Sequence, residues 1–172
     1  MALDGFNDIF HKVRLYNDEI KTSSLPKEEG SVPKTESVVY FSLVKNTRGY
    51  IEKLVHQING CYENAWYDAC AVMIRRLIET LIIEVYEAFN ISQKIKNDKD
   101  DFLYLSDLII AIENEPSWNL GRNAKKSLKS LKDIGDKSAH SRRFNAHRQD
   151  VDKIIEDLRV VVQELIYLAK LK

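Results

Sequence analysis

The sequence predicts an all-α fold: a bundle of about five helices over residues 37–172, with an N-terminal helical appendage. Three observations carry this. Apolar residues recur at steps of three and four through long stretches of the chain. Only 6 Gly and 3 Pro occur in 172 residues, too few for the turns of a many-stranded sandwich or barrel. Apolar residues make up 44%, which excludes a disordered or fibrous chain and supplies a real core for one domain.

Phe6, Ile9, Phe10, Val13 and Ile20 fall near one face, so residues 1–20 are expected to form a short amphipathic helix. Residues 21–36, KTSSLPKEEGSVPKTE, hold two prolines and three serines and read as a linker. The first helix is thereby free to dock on its own core or on a partner subunit. Over 37–59, Val39, Leu43, Tyr50, Ile51, Leu54, Val55 and Ile58 keep helical spacing, and Asn59-Gly60 reads as a stop. VVYFSLV alone would also suit a strand, which leaves the start of this helix open.

Residues 63–89 give the longest helix. Its stripe is Trp66, Cys70, Met73, Leu77, Leu81, Val85 and Phe89; Ala71, Ile74, Ile78 and Ile82 are apolar too. A helix apolar on most sides is expected at the centre. KNDKDD (96–101) is a charged turn in which Asp100 or Asp101 could cap the next helix. That helix carries Leu105, Leu108, Ile109 and Ile112 and ends before Pro116. Asn119 is placed to cap a further helix, lined by Leu120, Ala124, Leu128, Leu131 and Ile134, with Gly135 near its end. The last helix is expected from about Arg148 to Leu171 on a stripe from Val151 to Leu168. No internal repeat is present.

Charge and composition narrow the function classes. Lys plus Arg number 26 and Asp plus Glu number 26, so no global field steers the chain to nucleic acid or membrane. Cys61 and Cys70 are too few for a disulfide framework or a four-cysteine zinc site, and are expected to be buried free thiols. MALDGFNDIF lacks the basic start and apolar run of a cleavable signal, and no run is apolar enough to span a bilayer. The expectation is a soluble, cytoplasmic domain with no metal and no cofactor. Glycine-rich phosphate loops, nucleophile elbows and paired metal-ligand motifs are absent from the sequence. Glu84 and Glu87 are expected to face solvent, and Trp66 and Trp118 to serve as core and loop anchors.

The neutral total hides a segregation. From Arg122 to Arg148 there are nine Lys or Arg (122, 125, 126, 129, 132, 137, 142, 143, 148) against Asp133 and Asp136, a local +7. The remainder of the chain is then −7. Such a segment can attract a phosphate backbone, or it can be a solvated face that balances acidic neighbours at 84–115. Within it, IGDKSAHSRRFNAHR (134–148) is richest in functional groups. An imidazole such as that of His140 or His147 can take a proton from a ribose hydroxyl or give one to a leaving oxygen. A guanidinium such as that of Arg142 can neutralise charge on phosphoryl oxygens. His140, Arg142 and His147 are therefore the catalytic candidates. Asp136, Lys137, Ser138, Arg143, Arg148, Lys129 and Lys132 are candidates for RNA or phosphate contact.

A second constellation lies on the central helix. Asn64, Asp68, Arg75 and Glu79 share a stripe, Arg75 and Glu79 are four apart, and Arg76 can reach Glu79 at three. Arg75, Arg76 and Glu79 read either as an internal salt bridge that fixes packing or as a phosphate clamp.

The pattern ACAVMIRRLIE (69–79), followed later by IGDKSAH (134–140), resembles the HEPN superfamily (higher eukaryotes and prokaryotes nucleotide-binding domains) over roughly residues 40–170, and within it a prokaryotic branch labelled a domain of unknown function. The resemblance implies a HEPN-like helical bundle, often a homodimer. Many members are ribonucleases of toxin–antitoxin and antiphage systems. Their site is an Arg, a short spacer and a His, paired across the dimer, with a polar residue commonly after the Arg. Carried over, the His falls on His140, the polar residue on Asp136 and the Arg on Gly135. Arg142 and His147, with four residues between them, also fit the spacing. Two functions follow as expectations. One is an RNA-directed domain of a prokaryotic defence or toxin–antitoxin type system, in its catalytic form a metal-independent endoribonuclease with a degenerate motif. The other is a non-catalytic, dimeric interaction module that binds a protein or nucleic-acid partner.

Overall fold

A computed structural model describes residues 36–172. Seven α-helices occur among them: α1 (Phe41–Val44), α2 (Gly49–Glu63), α3 (Tyr67–Ala88), α4 (Leu105–Asn114), α5 (Arg122–His140), α6 (Arg148–Asp152) and α7 (Ile155–Leu168). A 3-10 turn, Ser92–Ile95, follows α3. The described residues contain no strand, only an isolated bridge between Lys96 and Phe102. The all-α expectation therefore holds, with two helices shorter than six residues added to five longer ones. The expected N-terminal helix (1–20) and linker (21–36) lie, but for Glu36, outside the described residues.

As its apolar surround predicts, α3 is central and packs against α2, α4, α5 and α7. Cys70, Ala71, Ile74, Leu77, Ile78, Leu81, Ile82 and Val85 are fully buried on it. Each buried Leu or Ile contributes about 1.5–3 kcal/mol over an exposed one, so this helix anchors the core.

Several boundaries differ from the sequence expectation. The helix expected over 37–59 divides into α1 and α2, and α2 runs through Asn59-Gly60 to Glu63. Asn59 is not a stop because its side chain has work inside the core. Its Oδ1 accepts the N–H groups of Val38 (3.0 Å) and Val39 (2.9 Å), and its Nδ2 donates to the Val39 carbonyl (2.9 Å). The same bonds hold Val38 and Val39 as buried, non-strand backbone. Between α2 and α3, Ala65 is left-handed (φ 59°), so α3 starts at Tyr67 rather than at 63.

Neither Asp100 nor Asp101 caps α4, which opens after Tyr104. Asp100 instead pairs with Lys96 at 3.0 Å. Gly121, not Asn119, precedes α5, and its N–H is bonded by Glu164. Gly135 lies inside α5, which continues to His140. The helix expected over 148–171 divides into α6 and α7, where bonding tightens to a three-residue step (Ile154 N–H to Val151 carbonyl, 3.0 Å).

Some side chains also differ. Tyr50, expected in a buried stripe, is half exposed because its hydroxyl reaches Glu84. Glu84, expected in solvent, is buried, bonded by Tyr50 and 3.7 Å from Arg48 Nε. Burial pushes its carboxyl up, and Arg48 opposes that shift. Trp118 is half-buried, with its Nε1–H on the Ile112 carbonyl (3.1 Å) and its ring edge-on to Tyr86. Trp66, by contrast, is exposed.

Candidate nucleic-acid interface

The loop of residues 141–147 joins α5 to α6 and carries most of the candidate chemistry. Helix α5 ends when Ser141 turns extended; the Ser141 N–H still bonds the Lys137 carbonyl at 3.0 Å. The far end of the loop is pinned to α2 and α3. Asp68 Oδ1 accepts the Ala146 N–H at 3.0 Å, and Ala146 is buried. Arg148 Nε donates to the Tyr62 hydroxyl at 3.0 Å, and Tyr62 in turn donates to Asp152 Oδ1. The Arg148 guanidinium also lies over the Tyr62 ring (5.3 Å) and 3.8 Å from Asp152. Burial raises the Tyr62 phenol above its usual range, and Asp152 adds to that. The phenol therefore stays protonated at neutral pH and keeps donating to Asp152.

Between these pins His140, Arg142, Arg143 and His147 are all exposed. Arg142 and Arg143 make no ion pair among the described residues. From His140 to Gln149 there are three arginines and two histidines with no acidic residue. The loop is thus a fixed, cationic, solvent-facing segment, suited to a polyanion.

The other candidates fall elsewhere. Asp136 faces inward: Arg75 Nε lies 2.7 Å from its Oδ1 and Lys132 Nζ 2.5 Å from its Oδ2. Burial works to raise this carboxyl, but hydrogen bonds from Lys132 and Arg75 outweigh it and hold it below the usual carboxylate range. Arg75 also lies 3.5 Å from Glu79. Arg75, Glu79, Lys132 and Asp136 therefore form a partly buried salt-bridge network that links α3 to α5, with Arg75–Glu79 the one pair in it expected from the sequence. Arg76 is exposed and pairs with neither. Asn64 leaves the stripe, since it closes α2 by bonding the Gly60 carbonyl (2.8 Å). Lys129 and Lys132 border a groove against α4, with Ile109, Ile110 and Glu113. Lys137 is exposed, while the Ser138 Oγ is buried with no partner among the described residues.

Gly135 sits at a close approach of α3 and α5. A Cβ there would stand 2.6 Å from Arg75 Cβ and 3.0 Å from the Ala71 carbonyl oxygen. The residue is glycine because α3 and α5 touch at this point, and no side chain fits. Among the described residues no group of three or more His, Cys, Asp or Glu is placed to hold a metal ion. Among them, too, no helix is long and apolar enough to cross a membrane.

Sequence reasoning missed Tyr62 and the placement of Trp66. Tyr62 carried no local signal, because its partners Arg148 and Asp152 lie far along the chain.

Fold and loop together define a helical domain built on one central helix with a cationic connection between its last long helices. The chain belongs to the DUF4145 family, a domain of unknown function, whose family model matches residues 56–172. No curated protein and no solved structure matches it.

Proposed function

We propose that this chain is an RNA-directed helical domain that binds the phosphate backbone through the 141–147 loop and its flanks. One observation carries the reading: Arg142 and Arg143 are exposed, without acidic partners among the described residues, on a loop pinned at Ala146 and Arg148. Exposed guanidinium groups with no acidic partner keep their planar fork of donors open to a ligand anion. The resemblance to the HEPN superfamily supports a setting in prokaryotic defence or a toxin–antitoxin type system.

Cleavage is the stronger form of the same reading. His140 would act as acid and base, with Arg142 and His147 around the phosphate. Gly135 in place of the Arg, and Asp136 committed to Arg75 and Lys132, argue for binding with a degenerate motif. The test is RNA binding and RNA cleavage by wild type, His140→Ala and Arg142→Ala, in EDTA throughout, on tRNA and mixed cellular RNA. Expected is salt-sensitive binding, weakened by Arg142→Ala, without cleavage. Cleavage lost in His140→Ala would instead make the domain a metal-independent endoribonuclease. No binding even at low salt would refute the RNA reading.

A protein-interaction module is favoured by a different observation. Val160 and Tyr167 are exposed on α7 and, with Leu43 and Ile166, line a groove of about 560 Å³. A homodimer or a partner protein would cover it. Concentration-dependent sedimentation of wild type, abolished in Tyr167→Glu, would support this reading; a monomer at all concentrations would remove the homodimer form of it.

A further inference from the structure

The elbow between α2 and α3, whose flanking residues pin the far end of the arginine loop, presents an indole to solvent. Trp66 is 62% exposed. Its backbone is fixed: the Trp66 N–H bonds the Cys61 carbonyl at 2.8 Å, and its own carbonyl accepts the Cys70 N–H at 2.9 Å. The left-handed Ala65 before it sets the turn that holds the ring outside the core.

A single exposed aromatic residue is common and by itself means little. Its neighbours in sequence decide here. Tyr62, four residues before, holds Arg148, and Asp68, two residues after, holds the Ala146 N–H. The elbow that carries Trp66 is therefore the element against which the cationic loop is docked. Tyr67, next to Trp66, meets the Tyr62 ring edge-on at 5.8 Å, which stiffens the elbow. An exposed aromatic face on the element that docks a cationic loop offers what binds single strands: phosphates on the cations, a base on the ring. Duplex RNA keeps its bases stacked internally and has none to offer.

We propose that Trp66 is a base-stacking platform for single-stranded RNA whose phosphates lie on the His140–Arg148 loop. The proposal rests on the RNA-directed reading above and adds to it a preference for unpaired bases.

The experiment measures binding of a labelled oligoadenylate RNA, and of an RNA duplex, to the full chain across a salt series. Variants are Trp66→Ala, Trp66→Phe and Arg142→Ala/Arg143→Ala, each checked for fold by circular dichroism. Loss of one stacked base weakens binding by about ten-fold. Trp66→Ala is expected to lose that factor on the single strand and nothing on the duplex, with an unchanged salt slope. Trp66→Phe retains most of the affinity, which separates a lost ring from a damaged elbow. The double arginine variant flattens the salt slope by about one to two units. Since Trp118 is the only other tryptophan, quenching of indole fluorescence by the RNA should vanish in Trp66→Phe. Wild-type binding that falls in the arginine variant but stays within two-fold in Trp66→Ala would overturn the stacking proposal and leave the RNA reading standing. Equal losses on single strand and duplex would overturn it too. No RNA binding by wild type would overturn both.

Discussion

Replacing Gly135 by Ala sets two effects of opposite sign against each other. Alanine is the better helix former by about 1 kcal/mol in a helix interior. Were Gly135 unremarkable, the substitution inside α5 would stabilise the fold. The structure requires the reverse. The new Cβ would lie 2.6 Å from Arg75 Cβ, 3.1 Å from Arg75 Cδ and 3.0 Å from the Ala71 carbonyl oxygen. Carbon atoms in contact prefer about 3.5–4.0 Å, so the first distance is short by about 1 Å. Neither nearest atom is the loose end of a side chain. Both belong to α3, the helix around which the bundle packs. Relief therefore means moving α3 and α5 apart, and overpacking of this kind costs about 1–3 kcal/mol. It also strains the Arg75–Asp136 bond one residue on. The net expectation is a loss of about 1–2 kcal/mol, or a fall in Tm of about 3–6 °C. Gly49→Ala is the control. It opens α2, is exposed, and a Cβ there meets nothing within 4 Å. It should gain up to about 1 kcal/mol. Thermal and urea unfolding by far-ultraviolet circular dichroism reads both. If Gly135→Ala is as stable as wild type or more so, the helices do not touch at this point and steric contact is not what requires glycine there.

Three further outcomes are expected. Asn59→Ala should destabilise by about 3 kcal/mol, since it strands the buried Val38 and Val39 N–H groups, and urea unfolding would show a lower midpoint at constant slope. Asp136→Asn should lose about 1 kcal/mol at neutral pH, where the carboxylate meets Lys132 and Arg75. Its folded-state pKa is depressed, so this contribution is present above the unfolded value of about 4 and is lost as pH falls through the lower folded value; the wild-type and variant stability curves should converge in acid. Cys70 is buried, and burial, then Cys61, pushes its thiol up to about 12. Ellman titration of the native protein should leave Cys70 unreacted until denaturant is added; prompt native reaction of both thiols would contradict the packing of α2 on α3.

What the sequence showed and what it hid divide along a physical line. The stripe from Cys70 to Val85 announces α3, because a helix buried all round must be apolar all round. Pro116 announces the end of α4, because proline acts locally. Asn59-Gly60 and Gly135 misled for one reason. Both have a local meaning, a stop, which a distant partner overrides: the Val38–Val39 backbone in one case, the Arg75 stem in the other. Glu84 is the same lesson for charge, since Tyr50 and Arg48 come to it from another helix and its approach. At the candidate site, the basic character of 134–148 was plain from composition. Which of its groups are free was not, because Asp136 is engaged by Arg75 of α3 across the helix contact and by Lys132 within α5, while Arg142 and Arg143 are not so engaged.

That division makes the salt dependence of RNA binding informative. Counted along the sequence, nine Lys and Arg occupy residues 122–148. If all nine met phosphates, binding to a single strand would fall with a log–log slope of about −6. The structure engages several of them elsewhere. Lys132 serves Asp136, and Lys125 caps the Glu113 carbonyl at 2.9 Å. Lys129 borders the groove against α4 rather than the loop. Of the other six, Arg122, Lys126 and Lys137 are exposed on α5, and the loop and its far end carry Arg142, Arg143 and Arg148, whose Nε is bonded to Tyr62 but whose side chain is still two-thirds exposed; phosphates held by the loop alone would meet these last three. Three contacts give a slope of about −2. A measured slope near −2 that flattens in Arg142→Ala/Arg143→Ala locates the phosphates on the loop. A slope near −6, unchanged in that variant, would instead spread them along α5, and the pinned loop would lose its claim to be the interface.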